Sequence, residues 1–134
     1  MIQFTLNEKS TKAQQGRPGW DGCKIIQVDD LAPGETAEAT EGIMVRFMRA
    51  WVSHCQEGGV TKVVVRHKET GEEIFRRELH VRPEPLAEGI QRRDIEIRHW
   101  PDTPFCCDDV VVSNESPAGS RPICVSMTDH DLPR

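Results

Sequence analysis

The sequence predicts an α+β domain in which one long helix, over residues 35–57, packs on a mostly antiparallel sheet of six or seven strands. Three observations carry this prediction. Short segments rich in β-branched residues, several of them alternating between polar and apolar positions, recur along the chain. Two of these segments, VTKVVVRH and EEIFRRELHV, flank a KETG turn, as expected for a β-hairpin. Residues 43–56 instead repeat their polar positions at intervals of three and four, which is the period of a helix.

The amino-terminal segment IQFTL alternates and predicts a short first strand. The polar segment that follows, residues 7–22, has no apolar period and contains three glycines and one proline, so it predicts a long loop. Trp20 lies in this loop, where its indole either anchors the loop to the core or contacts a partner. CKIIQVDD then predicts the second strand.

The helix over residues 35–57 is predicted from one polar stripe and from its two ends. The stripe consists of four residues spaced three, four and three apart, with apolar residues between them: Arg46, Arg49, Ser53 and Gln56. Three glutamates near the start suit the positive end of a helix dipole, and Gly58 suits its end. Gly42 argues against a regular helix interior. The rival interpretation is a long strand after an acidic loop, which would make the domain an all-β sandwich.

The second half of the chain predicts strands separated by proline-rich breaks. In the hairpin, Phe75 and Leu79 face inward, and the stem of Arg77 lies across the same apolar face. RPEPLAEG and PDTPF interrupt the sheet, while RRDIEIRHW, CDDVVVSN and RPICVSMT predict further strands. Residues 129–134 predict a loose carboxy-terminal tail.

The overall composition indicates one folded domain over residues 1–134. The chain is 37% hydrophobic and 29% charged, as globular domains of this length are. A formal charge of -5 argues against a nucleic-acid partner, which calls for a basic surface. No apolar stretch approaches the roughly 20 residues of a membrane-spanning helix, and no secretory signal is visible. Five cysteines, an odd number, favour the reducing cytoplasm over a disulfide framework.

The segment PFCCDD, residues 104–109, carries the densest set of reactive groups. Adjacent residues of a strand point to opposite faces, so Cys106 and Cys107 are not expected to bind one metal ion together. Nearby Asp108 and Asp109 raise the pKa of a thiol, which disfavours a nucleophilic thiolate. We therefore predict no metal site, no cofactor and no catalytic residue, and interpret one cysteine as a core residue.

Two arginine doublets are the best candidate binding residues. Arg76 with Arg77, and Arg92 with Arg93, lie on or beside predicted strands and would form an arginine-rich face if those strands were neighbours. The competing interpretation is that these arginines pair with nearby acidic residues across the sheet.

The sequence therefore favours a small non-enzymatic protein that binds a protein partner through Trp20 and the two arginine doublets. One alternative is a structural subunit of a homo-oligomeric assembly, since exposed strand edges favour association. Another is a small enzyme or ligand carrier with its site near Trp20 and residues 106–109. No membrane partner is expected.

Overall fold

A computed structural model of the chain describes residues 2–4, 24–52, 59–81 and 95–131, and all regular structure in this part is extended except one 3₁₀ turn, Cys107–Asp109. The strands are β1 (Ile2–Phe4), β2 (Ile25–Leu31), β3 (Thr36–Ala39), β4 (Met44–Val45), β5 (Phe47–Val52), β6 (Gly59–His67), β7 (Glu73–Val81), β8 (Ile95–His99), β9 (Phe105–Cys106), β10 (Val110–Asn114) and β11 (Ile123–Thr128).

The strands form three sheets. The five-stranded sheet has the order β1-β3-β10-β6-β7, the four-stranded sheet has the order β2-β11-β5-β8, and β4 pairs with β9. The pairing of β1 with β3 is parallel, and the other strand pairings in the described residues are antiparallel. Consecutive strands often lie in different sheets, so the chain crosses repeatedly between the two larger sheets.

One apolar core joins the two larger sheets. Met48, Ile26 and Met127 come from the four-stranded sheet, Val65 and Val112 come from the five-stranded sheet, and all five belong to one buried cluster. Aliphatic side chains supply most of this cluster, as the shortage of aromatic residues in the sequence requires. The architecture of the described residues is therefore a sandwich of two sheets.

The prediction of an α+β fold with one long helix over residues 35–57 is wrong, and the all-β alternative fits the described residues. Residues 35–52 form β3, β4 and β5, while residues 53–57 lie outside the described residues. The alternation of apolar and polar residues that one strand would show is broken here, because Phe47 and Met48 are both buried where the chain passes from the small sheet into the four-stranded sheet. Arg46 is exposed at this crossing, and its backbone N–H donates to the Thr128 carbonyl at 2.9 Å. Residues 44–47 and residues 48–52 each alternate by themselves, and the shift of one residue where they meet makes the polar residues of this segment recur at a helix-like spacing.

The hairpin prediction is confirmed by the pairing of β6 with β7. Thr61, Val63 and Val65 lie opposite Leu79, Arg77 and Phe75. The guanidinium of Arg77 lies 5.2 Å from the centre of the Phe75 ring, so this arginine covers the inner face at the edge of the sheet, as its position predicted.

Two predicted segments fall wholly or partly outside the described residues. The polar loop 7–22 lies there entirely, as do residues 132–134 of the predicted tail. At the start of the tail, Asp129 exchanges two hydrogen bonds with Lys24, at 2.9 Å and 3.3 Å.

Asn114 links the two larger sheets from a fully buried position at the end of β10. Its Nδ2 donates to the Leu31 carbonyl of β2 at 2.8 Å, and its Oδ1 accepts from the Ser116 N–H at 3.0 Å. Its backbone carbonyl accepts from the Gly34 N–H and its backbone N–H donates to the Glu35 carbonyl. A buried amide with both ends satisfied in this way fixes the β2–β3 turn against the core.

Candidate functional site

Residues 106–109 lie at one end of the sandwich, where the chain leaves the small sheet and enters the five-stranded sheet. Cys106 ends β9, the 3₁₀ turn follows at once, and β10 begins at Val110. The turn changes the direction of successive side chains, so the alternation expected of a strand does not hold through this segment. Cys107 is completely buried, while Asp108 and Asp109 are exposed.

The Cys107 thiol serves the structure of this turn. Its Sγ donates to the Glu41 carbonyl at 2.8 Å and accepts from the Ile43 N–H at 3.2 Å. Burial, reinforced by the charge of Asp108, raises the pKa of this thiol above its usual range. Cys107 is therefore a protonated, enclosed thiol that ties the β3–β4 connection to the 3₁₀ turn, and the expected core role of one cysteine is confirmed for this residue.

The turn also brings Cys106 close to the two aspartates. One potential ligand atom from each of Cys106, Asp108 and Asp109 lies within 4.8 Å of the others. Sequence reasoning rejected a site built from both cysteines, and here Cys107 is turned away from the group. Exposed carboxylates adopt such spacing without binding an ion, so the proximity alone assigns no metal.

A cleft of about 500 Å³ lies between this turn and the turn of the β6–β7 hairpin. We call this surface the acidic cleft. Its lining comes from residues of the two turns: His67, Lys68, Glu69, Thr70, Glu72, Asp108 and Asp109.

Backbone pairing fixes the two turns beside each other. Val110 lies opposite His67 in the pairing of β10 with β6, and the Lys68 N–H donates to the Asp109 carbonyl at 2.9 Å. The hairpin turn closes through a hydrogen bond from the Gly71 N–H to the His67 carbonyl, with Gly71 at a φ of 71° that favours glycine.

The cleft has a strong excess of negative charge. Glu69, Glu72, Asp108 and Asp109 are all exposed, and none forms an ion pair with another described residue. The lysine in the lining, Lys68, directs its Nζ to Glu38 at 3.1 Å and so does not offset them. Four carboxylates on two turns create a negative potential that attracts cations.

Gly42 fits the Asp108 carboxylate closely. A Cβ atom at position 42 would lie 3.0 Å from both carboxylate oxygens of Asp108. The glycine that argued against a helix in the sequence therefore leaves room for the Asp108 carboxylate beside the β3–β4 connection.

Of the predicted arginine face, the structure describes Arg76 and Arg77 on β7, while β8 belongs to the other larger sheet. Arg98 of β8 donates to Glu96 of its own strand. Glu96 also accepts from Arg49 of the neighbouring strand β5.

On the five-stranded sheet, arginine and glutamate alternate in a closed network. Arg66 binds both oxygens of Glu115, at 2.6 and 3.2 Å, and reaches Glu73 at 3.2 Å. Arg76 binds Glu73 from Nε at 2.9 Å. The hydrogen bonds from Arg76, with the positive charges of Arg76 and Arg66, lower the pKa of the Glu73 carboxyl to about 2. The two arginines, Arg66 and Arg76, thus balance the two glutamates, Glu73 and Glu115. This agrees with the interpretation that the arginines pair with nearby acidic residues.

Arg77 occupies a different environment from Arg76. Besides covering Phe75, its Nη1 donates to the Arg76 carbonyl at 3.1 Å. The centres of the Phe75 ring and the His99 ring of β8 lie 4.5 Å apart. Burial, together with the positive charge of Arg77, lowers the pKa of His99. The other predicted binding residues, Trp20, Arg92 and Arg93, lie outside the described residues.

Sequence reasoning missed the contribution of the hairpin turn to the site. In the sequence, Glu69 lies in the KETG turn and Glu72 begins the predicted strand EEIFRRELHV, yet both face the same cleft as Asp108 and Asp109. The available signal was that both acidic segments border strands, but the pairing of β6 with β10 that joins them is not visible in the sequence.

No protein-family model, curated protein or solved structure matches the chain. No helix among the described residues has the length and apolar character to cross a membrane.

Proposed function

We propose that this chain is a non-enzymatic binding protein whose acidic cleft receives a lysine- or arginine-bearing segment of a protein partner. The observation that supports this most directly is the set of four exposed carboxylates that converge on one cleft without a compensating described cation. A volume of about 500 Å³ lies within the range of roughly 300–1,000 Å³ usual for binding clefts.

A binding role is favoured over catalysis by the chemistry of the same residues. The cleft offers carboxylates and the imidazole of His67, but the adjacent thiol of Cys107 is buried and its raised pKa keeps it protonated. A nucleophile must be accessible and activated by a base, and Cys107 is neither.

The expected affinity is modest and depends on salt. An exposed ion pair contributes about 0.2–1 kcal/mol, so four carboxylates together contribute about 2 kcal/mol, or about thirtyfold in Kd. Because these charges are exposed, raising the ionic strength weakens the interaction, and much of their effect falls on the association rate.

The test is affinity purification of the full chain from its native host, with a partner identified by mass spectrometry and then bound as a purified protein. We expect the double variant Asp108→Asn, Asp109→Asn to weaken that binding by about fivefold or more. The matched control is Asp29→Asn, Asp30→Asn, which removes an equal charge from β2, and it should leave binding unchanged. Equal loss in both variants would show that net charge, and not the cleft, determines binding.

A ligand carrier at the same cleft is the competing function, because Cys106 lies with the two aspartates. Two results together would favour the carrier and contradict the proposal. The wild-type chain would bind Zn²⁺ stoichiometrically and the Asp108→Asn, Asp109→Asn variant would not, while that variant would bind the protein partner as tightly as the wild type does.

Arg76 and Arg77 are proposed as secondary partner contacts, together with Trp20, Arg92 and Arg93. Both Arg76 and Arg77 are exposed on β7 at the edge of its sheet. The variant Arg76→Ala, Arg77→Ala should weaken partner binding without abolishing it, and unchanged affinity would remove these residues from the interface.

We also propose that the protein acts in the cytoplasm. The odd cysteine count supports this, and the three described cysteines, Cys106, Cys107 and Cys124, are free thiols. Fractionation of the native host would test this location.

A further inference from the structure

Two strands from different sheets meet along one side of the sandwich. In the described residues, β7 is an edge of the five-stranded sheet and β8 is an edge of the four-stranded sheet. Leu79 of β7 and Ile97 of β8 line the same small apolar cavity, and Phe75 of β7 lies against His99 of β8. We call this side of the sandwich, defined by these four residues, the β7–β8 seam.

His99 is the titratable member of the β7–β8 seam. It follows buried Ile97 by two positions on β8, so both side chains point toward the inner face. The ring centres of His99 and Phe75 are 4.5 Å apart and their planes are inclined by 40°, which is an ordinary aromatic contact. Phe75 belongs to the apolar core, and His99 is half-buried beside it. A neutral imidazole suits this environment, because a charged ring held there would lose part of its hydration.

The charges around His99 also favour the neutral ring. The guanidinium of Arg77 lies 5.2 Å from the centre of the same Phe75 ring, so a second cation beside that ring would be repelled. Asp102, which follows β8, acts in the opposite direction, and β5 places the apolar Met48 directly opposite His99. Burial is the largest effect, and together with Arg77 it lowers the pKa of His99.

The sign of the pH dependence follows from this preference for the neutral ring. A histidine whose pKa is lower in the folded state contributes fully to stability above its ordinary pKa of about 6.5. Below that pH the unfolded or opened chain takes up a proton more readily than the folded chain does, so the contribution is lost as the pH falls.

We infer that His99 is a pH-sensitive contact, which holds the β7 and β8 edges together while its ring is neutral and loosens them when the ring is protonated. The change is local, because β7 remains paired with β6 and β8 with β5 through backbone hydrogen bonds that do not involve the imidazole. Protonation therefore admits solvent between the two sheets along the β7–β8 seam without separating the strands within each sheet.

The test is the labelling of a thiol that Ile97→Cys places in the seam of the full chain. A methanethiosulfonate reagent is added at about pH 7.5 and about pH 5.5, and each rate is divided by the rate in the urea-unfolded chain at the same pH, which corrects for titration of the thiol. Peptide mapping distinguishes position 97 from the native cysteines. The protection of position 97 should fall at least about threefold at the lower pH. The matched control, Val112→Cys on the central strand β10, should remain equally protected at both values.

Replacing the histidine should remove this response. In the Ile97→Cys chain, His99→Phe keeps an aromatic ring beside Phe75 but takes up no proton, so the protection of position 97 should no longer depend on pH. The control is His80→Gln, which removes an exposed histidine of β7 and should leave the response unchanged.

A charge variant tests the inference without altering His99. Arg77→Gln removes the positive charge that opposes protonation in the closed seam, so the pH response should become smaller. Arg76→Gln removes an equal charge that is paired with Glu73, and the response should persist. Circular dichroism should show the same fold in all variants. An undiminished response in His99→Phe, an equal response at positions 97 and 112, or an equal effect of Arg77→Gln and Arg76→Gln would overturn the inference.

Discussion

Replacing Asn114 by alanine should destabilise the protein strongly, because this side chain is a buried polar link between the two larger sheets. Asn114 is fully buried, and its amide binds the Leu31 carbonyl of one sheet and the Ser116 N–H beyond the other. Alanine leaves both backbone groups without these partners in a region that water does not reach. Each such group costs about 1–3 kcal/mol, so we expect Asn114→Ala to lower the free energy of unfolding by about 3 kcal/mol.

The assay is urea denaturation followed by fluorescence, with thermal unfolding as a second measure. A loss of about 3 kcal/mol should lower Tm by roughly 10 °C in a domain of this size. The control is Gln27→Ala, which removes an amide whose Nε2 binds exposed Asp29 at 2.6 Å, and it should cost less than about 0.5 kcal/mol.

Asn114→Asp separates hydrogen bonding from cavity formation. The new carboxylate keeps the acceptor for Ser116 but opposes the Leu31 carbonyl, so stability should fall at pH 7. Burial raises the pKa of such a carboxyl in the folded state, and the protonated form can again donate to Leu31. Stability should therefore recover as the pH falls. Equal effects of Asn114→Ala and Gln27→Ala, or no recovery of Asn114→Asp, would refute the assigned role of Asn114.

Three further predictions concern the end of the sandwich and its surface charges. Gly42→Ala should change the free energy of unfolding by less than about 0.5 kcal/mol, measured in urea, because the exposed Asp108 carboxylate that lies 3.0 Å from the new Cβ can turn away from it. A loss above about 1 kcal/mol would contradict this freedom of Asp108. The Glu73 carboxyl has a pKa of about 2, below its ordinary value. The contribution of the ionised Glu73 to the free energy of unfolding is therefore present above about pH 4.5 and is lost as the pH falls toward 2. Urea midpoints against pH should show this loss, and Glu73→Gln should reduce it. In the native state, Cys107 should resist a thiol reagent at pH 7, while the partly exposed Cys106 should react. Peptide mapping would identify the labelled cysteine, and rapid labelling of Cys107 would contradict its burial.

The extended segments could be predicted from the sequence where turn residues and β-branched runs indicate the same structure. In the β6–β7 hairpin, the turn contains Gly71 and the flanking runs carry β-branched residues, so local signals agree with the fold. The helix prediction failed where two strands meet. Phe47 and Met48 are both buried because β5 enters a different sheet from β4, and no local pattern records a change of sheet.

The candidate site could be predicted only in part, because two distant segments build it. One of the two adjacent cysteines was expected in the core, but the sequence did not indicate that it is Cys107, whose thiol is buried against Glu41 and Ile43. The acidic cleft depends on Val110 pairing with His67, a long-range contact between β10 and β6. The approach of Cys106 to Asp108 depends on a 3₁₀ turn, where a strand had been expected.

The most direct test of the proposed binding role is an NMR titration of the ¹⁵N-labelled full chain with a lysine-rich peptide at low salt. The account predicts chemical-shift changes concentrated in the hairpin turn, residues 67–72, and in the turn Cys107–Asp109. These changes should diminish in the Asp108→Asn, Asp109→Asn variant, persist in Asp29→Asn, Asp30→Asn, and be absent with a glutamate-rich peptide. Shifts spread evenly over the acidic surface, or no shifts in the two turns, would contradict a role for the acidic cleft in binding.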